Sequence, residues 1–199
     1  MVKVKICGLT RPCDIEAVNE SRPEFIGFVF AESRRKVTFQ QALDLRRMLR
    51  PEIVPVGVFV NETVEKVASV ARSGAIEAIQ LHGAEDEAYL QRLKTLTGMP
   101  IIKAIAIQKA GDAQMGSTSA ANYLLLDSKG GGTGKRFDWD LIGQMDRPFF
   151  LAGGLNPANV TEAIEKTRPF AVDVSGGVET DGLKDAAKIH ELIKRVRDE

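Results

Sequence analysis

The sequence predicts an α/β protein in which eight parallel strands alternate with helices and close into a barrel. Short apolar segments recur about every 25 residues along a chain of 199 residues, and helix-forming stretches separate them. A doubly wound open sheet usually carries G-x-G-x-x-G after its first strand, whereas this chain has Cys-Gly-Leu-Thr at 7–10. We therefore predict a single (β/α)8 domain, a TIM barrel with short loops, over residues 1–199.

The predicted strands are short and apolar. In the first, apolar residues at 2, 4 and 6 alternate with Lys3, Lys5 and Cys7, a period of two that gives one apolar and one polar face, and Gly8 ends the strand. Burying two amines and a thiol inside a core costs free energy, and a functional site at this strand would account for that cost. The other predicted strands are 25–30, 53–60, 75–81, 100–107, 123–126, 149–152 and 170–174.

Capping residues and apolar periodicity mark the predicted helices. Asn61 is the predicted N-cap of the helix that ends before Gly74, and Asn156 with Pro157 opens a later helix as N-cap and first helical residue. Periodic apolar residues from Leu183 to Val196 make the last helix. The remaining predicted helices are 14–19, 38–49 and 85–96, and 108–121 is the least regular crossover.

The composition excludes several classes of function. Basic and acidic residues are equal in number, at 27 each, and no basic run indicates a nucleic-acid or membrane surface. Cys7 and Cys13 lack metal or redox spacing, His82 and His190 are the only histidines, and we expect neither metal nor cofactor. Met1 leads directly into a strand, and no apolar run is long enough to span a bilayer, so we expect a soluble protein of a reducing cytoplasm.

Several chemically capable residues follow predicted strands. In a parallel barrel all strands end at one rim, where these residues would converge. They are Cys7, Arg35, His82, Asp127, Gly153, Gly154, Asp173, Ser175 and Gly176. Each also has an ordinary interpretation: a buried thiol, a solvated arginine, a histidine in a turn, a structural ion pair. Their convergence is the functional signal.

Glycine pairs follow the last two strands. Barrels often bind a phosphate there through backbone N–H groups, although Gly153, Gly154, Gly176 and Gly177 also suit tight turns. The glycine-rich stretch after Asp127 does not fit the phosphate-binding motif G-x-x-x-x-G-K-[ST]. We expect the segment 130–135 to act as a mobile lid. A thiol, a carboxylate and an anion site together favour cofactor-free proton transfer, such as an isomerisation, on a phosphorylated small molecule.

These motifs closely resemble the phosphoribosylanthranilate isomerase family of tryptophan biosynthesis, and the resemblance runs along nearly the whole chain. The matching segments are KICGLT at 5–10, GFVF at 27–30, VGVFVN at 56–61, QLHG at 80–83, LLD ending at 127, GGTGK at 131–135 with FDW at 137–139, LAGGLN at 151–156, VDVS at 172–175 and GVE at 177–179.

The resemblance implies an Amadori rearrangement of N-(5-phosphoribosyl)anthranilate, with roles for the matching residues. Asp127 matches the general acid and Cys7 the general base. Arg35 matches the arginine that holds the anthranilate carboxylate, with His82 nearby. The residues that match the phosphate loops are Gly153, Gly154, Ser175 and Gly176, and Asp173 matches a contact to the substrate nitrogen or ribose.

The chain departs from the family pattern at two places. The loop 33–37 has Lys36 where an aromatic residue is usual and is shortened by one residue, so that Arg35 rather than Arg34 is an alignment choice. Gly176 stands where a second serine is common. The alternatives are a related aldose–ketose isomerase acting on a phosphoribosyl intermediate of histidine biosynthesis, which Cys7 argues against, and a non-catalytic phosphate-binding barrel.

The first strand also suggests how the thiol is activated. An ordinary cysteine is only partly ionised at neutral pH. We expect Lys5 to point inward beside Cys7, to favour the thiolate and to be neutralised by Asp173. Asp127 has the opposite requirement, because it must be protonated when it acts, and partial burial would favour that form. The sequence is compatible with a monomer or a homodimer and does not decide between them.

Overall fold

Eight parallel strands form a closed barrel in chain order, with β1 completing it against β8. The computed structural model describes residues 1–128 and 136–198. The strands are β1 (Lys3–Cys7), β2 (Phe25–Val29), β3 (Val54–Phe59), β4 (Ala78–Leu81), β5 (Ile101–Ile107), β6 (Tyr123–Ser128), β7 (Phe149–Leu151) and β8 (Ala171–Val174). The predicted barrel is confirmed.

Helices surround the barrel and connect most of its strands. They are α1 (Pro12–Ser21), α2 (Phe39–Met48), α3 (Val64–Arg72), α4 (Glu87–Thr97), α5 (Asp112–Met115), α6 (Val160–Thr167) and α7 (Ala186–Arg197), with 3-10 turns at Trp139–Ile142 and Gly176–Val178. A two-stranded sheet, β9 (Glu179–Thr180) and β10 (Leu183–Lys184), lies between β8 and α7. None of the helices in the described parts of the chain is long and apolar enough to cross a membrane.

Side chains alternate along each strand between the helices and the barrel interior. In β4, Ile79 and Leu81 pack outward in the main core, while Ala78 belongs to a second cluster inside the barrel. The amino-terminal end of the barrel interior is aromatic: Phe150 makes edge contacts with Phe25, Tyr123 and Phe170. Apolar packing thus fills one end of the barrel, which leaves the other end for polar groups.

Two predicted N-caps are wrong. Thr63, not Asn61, caps α3, because Asn61 has φ +49° and its Oδ1 accepts the N–H of Ala84 at 2.7 Å. Helix α6 begins at Val160 rather than at Pro157, because the Oδ1 of Asn156 accepts the N–H of Ala158 at 2.8 Å and holds a separate turn. Both asparagines stabilise loops instead of helices.

Three further predictions need correction or fall outside the description. Leu183 lies in β10, not in the last helix, which begins after the N-cap Asp185. Helix α4 begins at Glu87, capped by Asp86, and α5 is a single turn in the irregular crossover. The proposed lid at 130–135 lies outside the described residues.

Candidate active site

A cavity of about 800 Å³ opens at the carboxyl ends of the strands. Every predicted site residue lines it except Lys5. The predicted residues that line the cavity are Cys7, Arg35, His82, Asp127, Gly153, Gly154, Asp173, Ser175 and Gly176. Lys5 lies fully buried, so it does not reach the cavity wall in the way that a direct substrate ligand would. The predicted convergence on one rim is confirmed for the others.

Lys5 acts through its neighbours on the barrel wall. Its Nζ lies 2.8 Å from Asp173 Oδ1, and the two residues are register partners on β1 and β8. Burial lowers the pKa of Lys5, but the charges of Asp173 and Cys7 more than offset this, and the pKa is raised. The predicted inward pairing of Lys5 with Asp173 is confirmed, and this pairing favours the ammonium form of Lys5.

Lys5 lowers the pKa of Cys7, in the predicted direction, but burial has the larger effect. Burial raises its pKa, the positive charge of Lys5 opposes this, and the net shift is upward. Desolvation thus has a larger effect on the pKa of the thiol than the neighbouring ammonium ion has. Lys5 moderates the pKa of Cys7 without reversing the effect of burial.

Gly27 makes room for the thiol. It is the register partner of Cys7 across β1 and β2, and a Cβ at this position would lie 2.6 Å from Cys7 Sγ. Any side chain there would displace the sulfur. No role was predicted for Gly27; the available signal was a glycine in the middle of an otherwise apolar strand.

Asp127 lies in β6 beside the imidazole of His82. Its Oδ2 is 3.4 Å from His82 Nε2, and its Oδ1 accepts the N–H of Ser128 at 2.7 Å. The carboxyl group is buried, with 6% of the residue exposed. Asp127 thus occupies a largely desolvated place on the cavity wall, with one titratable neighbour at the carboxyl end of β4.

Arg35 is held by a carboxylate that the sequence analysis did not assign to the site. Its Nε donates to Glu179 Oε1 at 2.6 Å and its second terminal nitrogen to Oε2 at 3.0 Å. The stem of Arg35 lies against Gly8, where any Cβ would overlap it. Arg34 also pairs with Glu179, but its side chain is 59% exposed against 11% for Arg35. This geometry favours Arg35 as the better oriented guanidinium.

Glu179 and Lys184 complete the cluster of charged residues around Arg35. They are cross-strand partners in the sheet of β9 and β10, and Lys184 Nζ lies 2.6 Å from Glu179 Oε1. Burial raises the pKa of Glu179, but hydrogen bonds from Arg35 and Lys184 reverse this and lower it to about 2. Three cations around one carboxylate leave this wall of the cavity with a positive charge, which suits an anionic ligand.

The two glycine loops meet at the same side of the cavity. Gly153 and Gly154 have φ of +88° and +68°, a backbone region that favours glycine. A Cβ at Gly177 would overlap the carbonyl oxygen of Leu155, so the two loops are in direct backbone contact. The hydroxyl of Ser175 donates to the carbonyl oxygen of Cys7 at 2.9 Å. This hydrogen bond couples the second loop to the end of β1.

A buried ion pair supports the loop that follows His82. Lys103 Nζ donates to Glu85 Oε2 at 2.7 Å and to the carbonyl oxygen of Gly83 at 2.6 Å. Burial raises the pKa of Glu85, but hydrogen bonds from Lys103 and from backbone N–H groups outweigh it and lower the pKa. Neither residue was predicted to matter; Lys103, a charge inside an apolar strand, was the available signal.

The closed barrel, with its ionisable groups and glycine loops around one cavity at the strand ends, has the arrangement of the (β/α)8-barrel enzymes. Within that class, the chain belongs to the N-(5'-phosphoribosyl)anthranilate isomerase family, whose model matches residues 4–195. Family membership confirms the predicted isomerase function in tryptophan biosynthesis.

Individual relatives agree over their full length. The N-(5'-phosphoribosyl)anthranilate isomerase of Endomicrobium trichonymphae is 43% identical over 201 residues, covering 99% of each chain. The crystal structure of phosphoribosyl anthranilate isomerase from Thermotoga maritima has a TM-score of 0.91 and 38% identity, covering 100% of both chains. Another solved isomerase, in complex with reduced 1-(o-carboxyphenylamino)-1-deoxyribulose 5-phosphate, has a TM-score of 0.85 and 36% identity, also covering 100% of both chains.

Proposed function

We propose that Asp127 and Cys7 are the general acid and general base of a cofactor-free rearrangement of N-(5-phosphoribosyl)anthranilate to 1-(2-carboxyphenylamino)-1-deoxyribulose 5-phosphate. The observation that carries this proposal is that both side chains line one cavity, together with two glycine loops and a cationic wall. The reaction requires a general acid and a general base, and a carboxyl group and a thiol can fill these two roles.

The chemistry assigns one proton to each group. Asp127 donates its proton to the furanose ring oxygen as the C1′–O bond breaks and the nitrogen lone pair forms a C1′=N bond. Cys7, as thiolate, removes the C2′ proton, which gives a neutral enolamine. The enolamine becomes the ketone when C1′ gains a proton and the 2′-hydroxyl loses one. The enzyme is left with a proton on Cys7 and none on Asp127, and exchange with water resets both groups.

The anionic ends of the substrate have separate partners in this proposal. The anthranilate carboxylate pairs with Arg35, whose guanidinium is oriented by Glu179. The phosphate binds the loops at Gly153, Gly154, Ser175 and Gly176, where glycine lets an anion approach backbone N–H groups. The substrate analogue bound to the solved relative is also a phosphorylated small molecule with an aromatic carboxylate, which supports this assignment.

Family membership favours this function over a histidine-biosynthesis isomerase and over a non-catalytic barrel. We infer a cytoplasmic location, supported by two free cysteines, Cys7 and Cys13, as expected in a reducing compartment. A single domain over 1–199 and a monomeric or homodimeric state stay predictions.

The test is the decay of fluorescence of freshly generated phosphoribosylanthranilate on adding wild type, Cys7→Ser or Asp127→Asn. We expect fast turnover by wild type and a loss of roughly 10² to 10⁴ in kcat for each variant, the usual contribution of a general acid or base. Undiminished turnover by both folded variants would retain the substrate and overturn the assignment of Cys7 and Asp127. No turnover by folded wild type would overturn the whole proposal.

A further inference from the structure

The carboxamide of Gln80 lies buried behind the imidazole of His82. Both residues project from β4 or its end toward the barrel interior, two positions apart, and Gln80 is 1% exposed. Gln80 Nε2 is 2.9 Å from His82 Nδ1. The register partners of Gln80 are Val58 and Ile102, and Gln80 lines the cavity beside His82. Burying a polar group costs free energy unless the group is hydrogen-bonded, so the contact with His82 calls for an explanation.

The placement of the amide nitrogen of Gln80 against Nδ1 selects one tautomer of His82. An amide nitrogen can only donate, so Nδ1 of His82 must be the acceptor and carries no hydrogen. In a neutral imidazole the hydrogen is then on Nε2, and Nε2 faces Asp127 Oδ2 at 3.4 Å. We propose that Gln80 is a positioning residue that holds His82 as the neutral Nε2–H tautomer, with the hydrogen-bearing nitrogen next to the carboxyl group of Asp127.

The consequence for the reaction rests on the proposed role of Asp127 as general acid. When Asp127 has given up its proton, its carboxylate lies in a largely buried place, where the hydroxyl of Ser128 donates to Oδ1 at 3.4 Å and Nε2 of His82 lies 3.4 Å from Oδ2. The opposite tautomer would turn a lone pair toward that carboxylate and repel it. Gln80 therefore favours the charge state that Asp127 reaches after proton donation, without itself touching the reacting atoms.

The proposal also explains why the side chain at position 80 is a carboxamide and not a carboxylate. A glutamate there would offer only acceptors, so it would select the hydrogen on Nδ1 and reverse the imidazole. In the described part of the chain, Gln80 Oε1 has no hydrogen-bond partner. Placing the nitrogen against His82 thus leaves the amide oxygen without a partner among the described residues.

The first test reads the tautomer directly and does not depend on activity. The chain has two histidines, and His190 is exposed on α7, so His190→Gln leaves His82 as the single imidazole. Nitrogen NMR of this protein, labelled with ¹⁵N-histidine and kept at about pH 8, where an ordinary imidazole is neutral, should show unprotonated Nδ1 and protonated Nε2. A protonated Nδ1 in this protein would overturn the proposal whatever the variants do.

The second test compares Gln80→Glu and Gln80→Met in the same background. We expect Gln80→Glu to move the hydrogen to Nδ1, Gln80→Met to give a mixture of tautomers, and both to lower kcat by about tenfold, the value of one hydrogen bond, with little change in KM. Unchanged nitrogen shifts and unchanged kcat in folded variants would overturn the proposal. Full activity in Asp127→Asn with the expected tautomer in the parent would instead overturn the role of Asp127 and leave the tautomer assignment standing.

Discussion

At the scale of single residues, the pKa of the Cys7 thiol is set by opposing influences. Burial raises its pKa, the ammonium of Lys5 lowers it, and the carboxylate of Asp173 raises it. Lys5 and Asp173 are themselves paired at 2.8 Å. The Lys5–Asp173 pair is therefore close to neutral as a whole. Cys7 must act as a base although its burial raises the pKa of the thiol.

Substitutions of Lys5 and of Asp173 should shift the pKa of the Cys7 thiol in opposite directions. We expect Lys5→Met to raise the pKa of Cys7, because the ammonium is lost, and Asp173→Asn to lower it, because the carboxylate is lost. The measurement is the pH dependence of alkylation by iodoacetamide in a Cys13→Ser background, since Cys13 is exposed and would react first. The alkylation curve should move to higher pH in the first variant and to lower pH in the second.

Each variant leaves a buried charge without its partner, so both are checked for a cooperative thermal transition before alkylation. Leucine and methionine at position 5 serve as a matched pair, because both remove the charge with different shapes. A shift of the same sign in Lys5→Met and Asp173→Asn would show that repacking, and not charge, controls the thiol.

At the scale of elements, the sheet of β9 and β10 is a structural device that orients Arg35. Asp181 and Gly182 have φ of +52° and +79°, as a two-residue type I′ turn requires. The turn brings Glu179 opposite Lys184, and the same carboxylate holds Arg35. This short hairpin thus connects the end of β8 to the cationic wall of the cavity.

This cluster should stabilise the protein in a pH-dependent way. Because the pKa of Glu179 is about 2 in the folded protein, and near 4.3 in an unfolded chain, its contribution is complete above about pH 5.5 and is lost as the pH falls toward 2. Burial lowers the pKa of Lys184, which offsets part of the gain. We expect Glu179→Gln to reduce the free energy of unfolding by about 2 kcal/mol at neutral pH, measured by urea denaturation, with the difference shrinking in acid.

The matched control is Glu191→Gln on α7. Glu191 also pairs with an arginine, Arg195, at 3.0 Å, but both side chains are about half exposed. Its loss should change the free energy of unfolding by less than about 0.5 kcal/mol. Equal effects of the two substitutions, or an effect of Glu179→Gln that does not diminish in acid, would contradict the role assigned to the cluster.

The sequence predicted the strands better than the loops between them. Alternation in β1 and the short apolar runs depend on local periodicity, which the barrel preserves. Asn61 and Asn156 were misassigned because asparagine caps helices and stabilises turns through the same side-chain oxygen, and only the neighbouring loop decides between the two. The turn at Asp181 and Gly182 was a local signal that the periodicity of the last helix obscured.

The predicted site residues lie where strand ends converge, because the barrel topology alone places them. Their supports could not be found in this way. Glu179 contacts Arg35 across 144 positions of the chain, and the role of Gly27 depends on its register with Cys7. Such long-range pairs follow from the closed sheet, and one sequence contains no measure of them.

At the scale of the whole molecule, the barrel interior is divided along its axis. Aromatic rings fill the amino-terminal end, where Phe150 and Phe170 have centroids 5.6 Å apart and Lys3 Nζ lies 4.7 Å from the centre of the Phe170 ring. Ionisable groups occupy the carboxyl-terminal end, around the cavity. Stability and chemistry thus depend on different layers of the same strands.

Phe150 tests this division, because it is fully buried and does not line the cavity. Phe150→Ala should lower the free energy of unfolding by about 3 to 5 kcal/mol, since it removes a ring and leaves a void, while kcat of the folded enzyme stays within about twofold. Urea denaturation and turnover on the same preparation measure both, and Phe150→Leu, which fills more of the void, should cost less stability. Asp127→Asn should show the converse, a large loss of kcat with a small change in stability. If Phe150→Ala abolished turnover in protein that is still folded, the two ends of the barrel would be coupled, and the lower layer would have to be counted among the groups that position the site.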